Sequence, residues 1–105
     1  TTETRLAQAI RGRVELSTAV KADDPVMAEA VATEAALRDL AFADDVATTR
    51  RELIYALTNE LSDALADREQ ASARYEPTHP ELAKADAVVT GLTAAINREV
   101  HRNRV

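Results

Sequence analysis

Residues 53–100, LIYALTNELSDALADREQASARYEPTHPELAKADAVVTGLTAAINREV, decide the fold. Leu53, Leu57, Leu61 and Leu65 recur at steps of four, with Ile54 and Ala64 widening the stripe, the spacing of one face of an α-helix. That helix is expected from about Asp45 to Arg74. Pro77 forces the residue before it out of helical geometry, so the chain turns at Glu76-Pro77-Thr78-His79-Pro80. Thr78 followed three residues later by Glu81 reads as a capping box, with Pro80 tolerated in the first turn. A further helix is expected from about Pro80 to Arg102, where Leu82, Ala85, Val89, Leu92, Ile96 and Val100 trace a heptad seam. A helix of about 30 residues extends roughly 45 Å. That is too long for a compact globule of ~13 Å radius. The expectation is an all-α fold built on an elongated, coiled-coil-like antiparallel hairpin.

Upstream, one or two shorter helices precede the hairpin in a bundle-like arrangement. The first is expected from about Glu3 to Ala22, with Leu6, Ile10, Val14 (or Arg13) and Ser17 to Val20 on its apolar side. Gly12 weakens it by roughly 1 kcal/mol relative to alanine and leaves room for another backbone to come close. Asp24 can cap a second helix and Pro25 suits its first position. That helix, about Pro25 to Phe42, carries a thin stripe of Val26, Ala30, Thr33, Leu37 and Leu40. Asp44-Asp45 could cap the third helix, although a continuous helix through Ala43 is compatible with the absence of Gly and Pro. The chain is expected to form one helical domain over 1–105, with N-terminal helices in 1–44 and the hairpin in 45–105, turning at 76–80.

Composition narrows the function classes. Of 105 residues, 48 are hydrophobic, but 22 of those are alanine, so little side-chain bulk is available for a core. Only Phe42, Tyr55 and Tyr75 are aromatic, which argues against an aromatic-lined pocket. The lack of cysteine removes disulfides, thiolate nucleophiles and cysteine-based zinc sites. The net charge of −5 argues against a nucleic-acid partner. The longest apolar stretch, Ala85 to Ile96, is interrupted and far short of the roughly 18 residues a membrane span needs, so no membrane insertion is expected. No signal-peptide pattern is visible, Thr1-Thr2-Glu3-Thr4 reads as a start after loss of an initiator Met, and the cytoplasm is the default compartment. Seven acids between Ala22 and Asp45 face the single base Arg38, while Arg98, Arg102 and Arg104 make the other end basic. Helix dipoles account for such a distribution. The sharper alternative is that acidic and basic zones meet between copies in an assembly.

No motif carries chemistry on its own. Glu76 and His79 have the Glu-x-x-His spacing of bundle di-metal sites, but two prolines place them in a turn. Glu99 and His101 face different ways on a helix. Ser17, Ser62 and Ser72 lie within helices with no glycine-rich elbow to expose them. Asp23-Asp24 and Asp44-Asp45 are explained by capping, and Arg50 alone crosses an apolar seam. These observations predict no catalytic, cofactor-binding or metal residues, and no cofactor. His79 is expected to bond backbone near the cap, and Tyr55 and Tyr75 to pack.

Residues 53–100 resemble the periplasmic coiled-coil hairpin of bacterial polysaccharide co-polymerases, the chain-length-determinant and exopolysaccharide-transport family. In that family a leucine-rich helix ends in a Tyr-x-Pro-x-His-Pro turn and returns as a heptad helix. Here the turn is Tyr75-Glu76-Pro77-Thr78-His79-Pro80, and the return helix closes with Asn97-Arg98-Glu99-Val100. The family often has Gly where Glu76 stands, carries flanking membrane helices, and offers no counterpart to residues 1–45. The resemblance implies a hairpin that helps assemble oligomers, with Tyr75, Pro77, Thr78, His79 and Pro80 at its tip.

The thin stripes and long hairpin lead to a non-enzymatic helical interaction or assembly protein. It would act as a homo-oligomer or as a subunit of a larger structural complex, such as a virion or scaffold component. The interface residues expected are Leu53, Leu57, Leu61, Leu65, Leu82, Val89, Leu92 and Ile96. The alternatives are an acidic helical module for a basic partner, a periplasmic hairpin of the resembling family, and a small bundle enzyme. The last predicts a pocket with converging Arg or Glu side chains.

Overall fold

A computed structural model describes residues 1–104, with side chains to Arg102, so the Arg104 part of the basic end lies outside the described side chains. Among the described residues there are four helices and no strand: α1 (Thr2–Ser17), α2 (Pro25–Ala41), α3 (Val46–Arg74) and α4 (Pro80–Arg104). The fold is an all-α bundle in which α3 and α4 form a long antiparallel hairpin. Helix α1 packs on α2, α3 and α4, and so fills the groove of the hairpin. The 29-residue α3 sets the long dimension of a body measuring 47 × 29 × 24 Å.

Each helix begins where a side chain can accept its free N–H groups. Thr1 Oγ1 accepts from Thr4 N at 3.1 Å, and Asp24 Oδ1 accepts from Val26 N at 2.9 Å ahead of Pro25. Asp45 Oδ1 accepts from Thr48 N at 3.1 Å, so α2 and α3 are separate helices. That bond and a hydroxyl bond from Thr48 hold the Asp45 carboxyl below the usual aspartate range. At α4 the cap differs from the Thr78 capping box. His79 Nδ1 accepts from Glu81 N at 3.1 Å, and the His79 ring stacks on Tyr75 with centroids 4.1 Å apart. Helix α1 stops at Ser17, five residues before Ala22. The Ser17 and Thr18 hydroxyls turn back onto the carbonyls of Val14 and Glu15, and Ala19 and Val20 close on Leu16 O. Side-chain bonds of this kind compete with helix continuation, and no glycine marks the stop.

The core is Leu6, Ala7 and Ile10 of α1 against Leu53, Ala56, Leu57 and Ala64 of α3 and Leu92 and Ala95 of α4. The leucine seam of the hairpin is therefore closed by α1 within the same chain. Leu53, Leu57 and Leu92 are fully buried, Leu61, Val89 and Ile96 pack partly buried against them, Leu82 is half-buried, and Leu65 is exposed. As interface residues between copies, the buried members are already spent. The close contact falls at Gly91 rather than Gly12, and a side chain, not another backbone, makes it. A Cβ at Gly91 would collide with Val14 Cγ1 and lie 3.2 Å from Cγ2, whereas one at Gly12 meets nothing within 4 Å.

Helix α2 turns a different face inward from the one its hydrophobic spacing predicts. Its buried residues are Met27 and Ala41, with Ala30, Glu34, Leu37 and Arg38 partly buried. Val26, Thr33 and Leu40, expected on the stripe, are exposed. The rotation lets Glu34 and Arg38 form ion pairs with α1 and α4.

Candidate functional site

Where the ends of α2, α3 and α4 converge, a carboxylate sits inside a ring of guanidinium groups. Glu99 is only 2% exposed. Its Oε1 lies 2.7 Å from Arg38 Nη2 and 3.2 Å from Arg102 Nη1, and its Oε2 faces Arg50 Nε at 3.5 Å. Neither Oε2 nor Arg50 Nε has another partner among the described residues. The Arg38 and Arg50 guanidinium carbons lie 5.6 and 5.2 Å from the Phe42 ring centroid, so one aromatic ring carries both cations. Thr49 Oγ1, buried, donates to Ala41 O at 2.9 Å and ties the start of α3 to the end of α2. A buried carboxylate is tolerated only with compensating charge. Here that charge comes from three helices, so the cluster sets how they meet.

Beside Glu99 lies a small pocket of about 140 Å3 lined by Arg13, Glu34, Arg38, Arg98 and Arg102, with Ile10 and Ala95. Arg13 Nε bonds Glu34 Oε1 at 2.7 Å, linking α1 to α2. A second, larger cleft of about 360 Å3 lies between α1 and the hairpin, near its tip. Arg11 dominates it, bonding Glu15 at 2.8 Å and Asp67 at 2.9 Å and lying 3.5 Å from Glu60. Partial burial opposes the Arg11 charge, but the bonds to Glu15 and Asp67 outweigh it and raise its pKa above the ordinary arginine value. Tyr75, Glu81 and Lys84 complete that cleft.

The third feature is the outer face of α2. Eleven of its seventeen residues are apolar, yet only Met27 and Ala41 are buried. Leu40 is 62% exposed, Val26 52% and Val31 47%, and Val46 at the start of α3 is also exposed. Tyr55 stands exposed on α3.

Of the turn residues, Tyr75 and His79 come together as a half-buried stacked pair, while Pro77, Thr78 and Pro80 are exposed. Among the described residues, no group of three or more His, Asp or Glu side chains is placed to hold a metal ion. The Glu99 cluster was not singled out from the sequence, although a signal exists. Leu92, Ala95 and Glu99 follow a three-then-four spacing and are the buried face of α4, so Glu99 occupies an apolar position. Arg50, next to buried Thr49 and one turn before Leu53, is the member whose place on an apolar seam the sequence marks.

Comparison with protein-family models, with curated proteins and with solved structures finds no match.

Proposed function

We propose that this chain is a non-enzymatic helical interaction protein that self-associates through the outer face of α2, as a homo-oligomer or as a subunit of a larger structural complex. One observation carries the reading: α2 is rich in apolar residues but leaves Val26, Val31 and Leu40 in water. Ala28, Ala32 and Ala36 run at steps of four to Leu40 along one exposed side of α2, with Val26 and Val31 on its two flanks, so a partner helix can approach that row closely. Burial of such side chains is the main favourable term in association. The leucines of the hairpin are already covered by α1, so this surface, not the leucine seam, is available to a second copy.

The acids around α2 favour one competing reading, an acidic module for a basic partner. Asp23, Glu29, Asp39, Asp44 and Asp45 are exposed, and the one base among them, Arg38, is engaged by Glu99. Salt separates the two. Two copies meeting through this face bring like charges together, so added salt strengthens self-association, whereas it weakens capture of a basic partner. A third reading, a periplasmic polysaccharide co-polymerase hairpin, draws support from the Tyr75–His79 stack at the tip of α3 and α4.

The test is absolute mass by light scattering on a sizing column, at several concentrations and two salt levels. A multimer that Val31→Glu with Leu40→Glu reduces to a helical monomer supports self-association. A wild-type monomer at all concentrations defeats it.

A further inference from the structure

We propose that the pocket beside Glu99 binds a small tetrahedral oxyanion of the phosphate class. The argument is independent of how copies associate. The cavity of about 140 Å3 has room for four or five waters at roughly 30 Å3 each, a volume that admits a phosphate group with part of its hydration. Arg13 from α1, Arg38 from α2, and Arg98 and Arg102 from α4 line it, against only two carboxylates, Glu34 and Glu99. A chain of net charge −5 has thus gathered an excess of positive charge in one concavity. Arg50, on Glu99 Oε2, adds to that excess.

The carboxylates hold the arginines by part of each fork and leave the rest of the donors open. Arg13 spends Nε on Glu34, and Arg102 spends Nη1 on Glu99. Arg98 has no ion pair with a described residue. A guanidinium carries five N–H donors in a planar fork matched to the oxygens of a phosphate. Ile10 and Ala95 supply apolar wall, which strengthens electrostatic attraction inside the pocket. The larger cleft at Arg11 makes the contrast: there Arg11 and Lys84 meet Glu15, Asp67 and Glu81, so acids outnumber bases and an anion is repelled.

The experiment is isothermal titration with inorganic phosphate at neutral pH, alongside phosphorus NMR line width, with sodium chloride matched in ionic strength. The variants are Arg98→Gln and Arg13→Gln, with Arg68→Gln as control, since Arg68 pairs with Asp86 between α3 and α4 and does not line the pocket. The expected result is saturable binding with Kd below about 1 mM and a loss of about tenfold or more in each pocket variant. Arg68→Gln leaves binding unchanged. Arg98 is exposed and unpaired among the described residues, so its variant keeps the wild-type melting temperature without phosphate. No saturable heat beyond the chloride control, or equal affinity in Arg98→Gln and Arg68→Gln, overturns the proposal. Phenyl phosphate binding at least as tightly as phosphate supports it and makes the ligand a phosphate ester. Exclusion of phenyl phosphate while phosphate binds supports it for the free ion.

Discussion

The same substitution at the two glycines is expected to act with opposite sign. Both are inside helices, so replacing either by alanine removes an intrinsic penalty of about 1 kcal/mol. At Gly12 nothing lies within 4 Å of the new methyl, and the full gain is expected. At Gly91 the methyl collides with Val14 Cγ1, and Val14 Cβ is 3.4 Å away. Val14 is buried and β-branched, with one strongly preferred rotamer in a helix, so turning its side chain does not clear the space. Helices α1 and α4 have to part, and overpacking of this kind costs about 1–3 kcal/mol. The net effect at Gly91 is a loss of up to about 2 kcal/mol. For a chain of this size, 1 kcal/mol moves Tm by about 4–8 °C. Thermal and urea unfolding followed by circular dichroism should rank Gly12→Ala above wild type and Gly91→Ala below it. Adding Val14→Ala to Gly91→Ala should cost less than Val14→Ala costs alone, because the clash disappears. A Gly91→Ala protein as stable as Gly12→Ala, or strict additivity with Val14→Ala, refutes the close approach of α1 and α4 at this point.

Three further outcomes are expected. Glu99→Gln leaves the Arg38, Arg50 and Arg102 guanidinium groups clustered without their anion, and should lower unfolding stability by about 3–5 kcal/mol in urea titration. Leu57→Asp buries a charge inside the single-chain core and should abolish helicity and association together; a folded monomer from this variant would return the leucine seam to an interface between copies. The Asp45 carboxyl is lowered by its bonds to Thr48, so its contribution to the α3 cap is present above the unfolded value of about 3.9 and is lost as pH falls through the lower folded value. Protection of the Thr48 amide, its exchange rate taken relative to the intrinsic rate at each pH, should therefore fall in acid below about pH 4, and Asp45→Ala should remove that dependence.

Much of this architecture is legible one residue at a time. Capping acts over three or four residues, so Asp24-Pro25, Asp45 and the Pro77–Pro80 turn mark three helix starts within a residue or so. The stop of α1 at Ser17 was missed because hydroxyl-to-carbonyl bonds leave no distinctive residue in the way that a glycine would. Leu6, Ile10, Leu53, Leu57 and Leu92 announce themselves as core because large apolar side chains at helical spacing have no better place to go.

Propensity, capping and periodicity within each segment therefore specify an all-α chain, the starts of its later helices and the long α3–α4 hairpin. What closes that hairpin depends on packing between segments. Helix α1 occupies the groove a second copy could have taken, and the close contact expected at Gly12 falls instead at Gly91, which admits Val14. That packing also decided the rotation of α2, whose alanine-rich surface has too little hydrophobic contrast to orient it. Ion pairs from Arg13 to Glu34 and from Arg38 to Glu99 set that orientation, and both join residues far apart in the chain. A charge cluster assembled from three helices has no spacing in one dimension, because its members are neighbours only after the helices have packed.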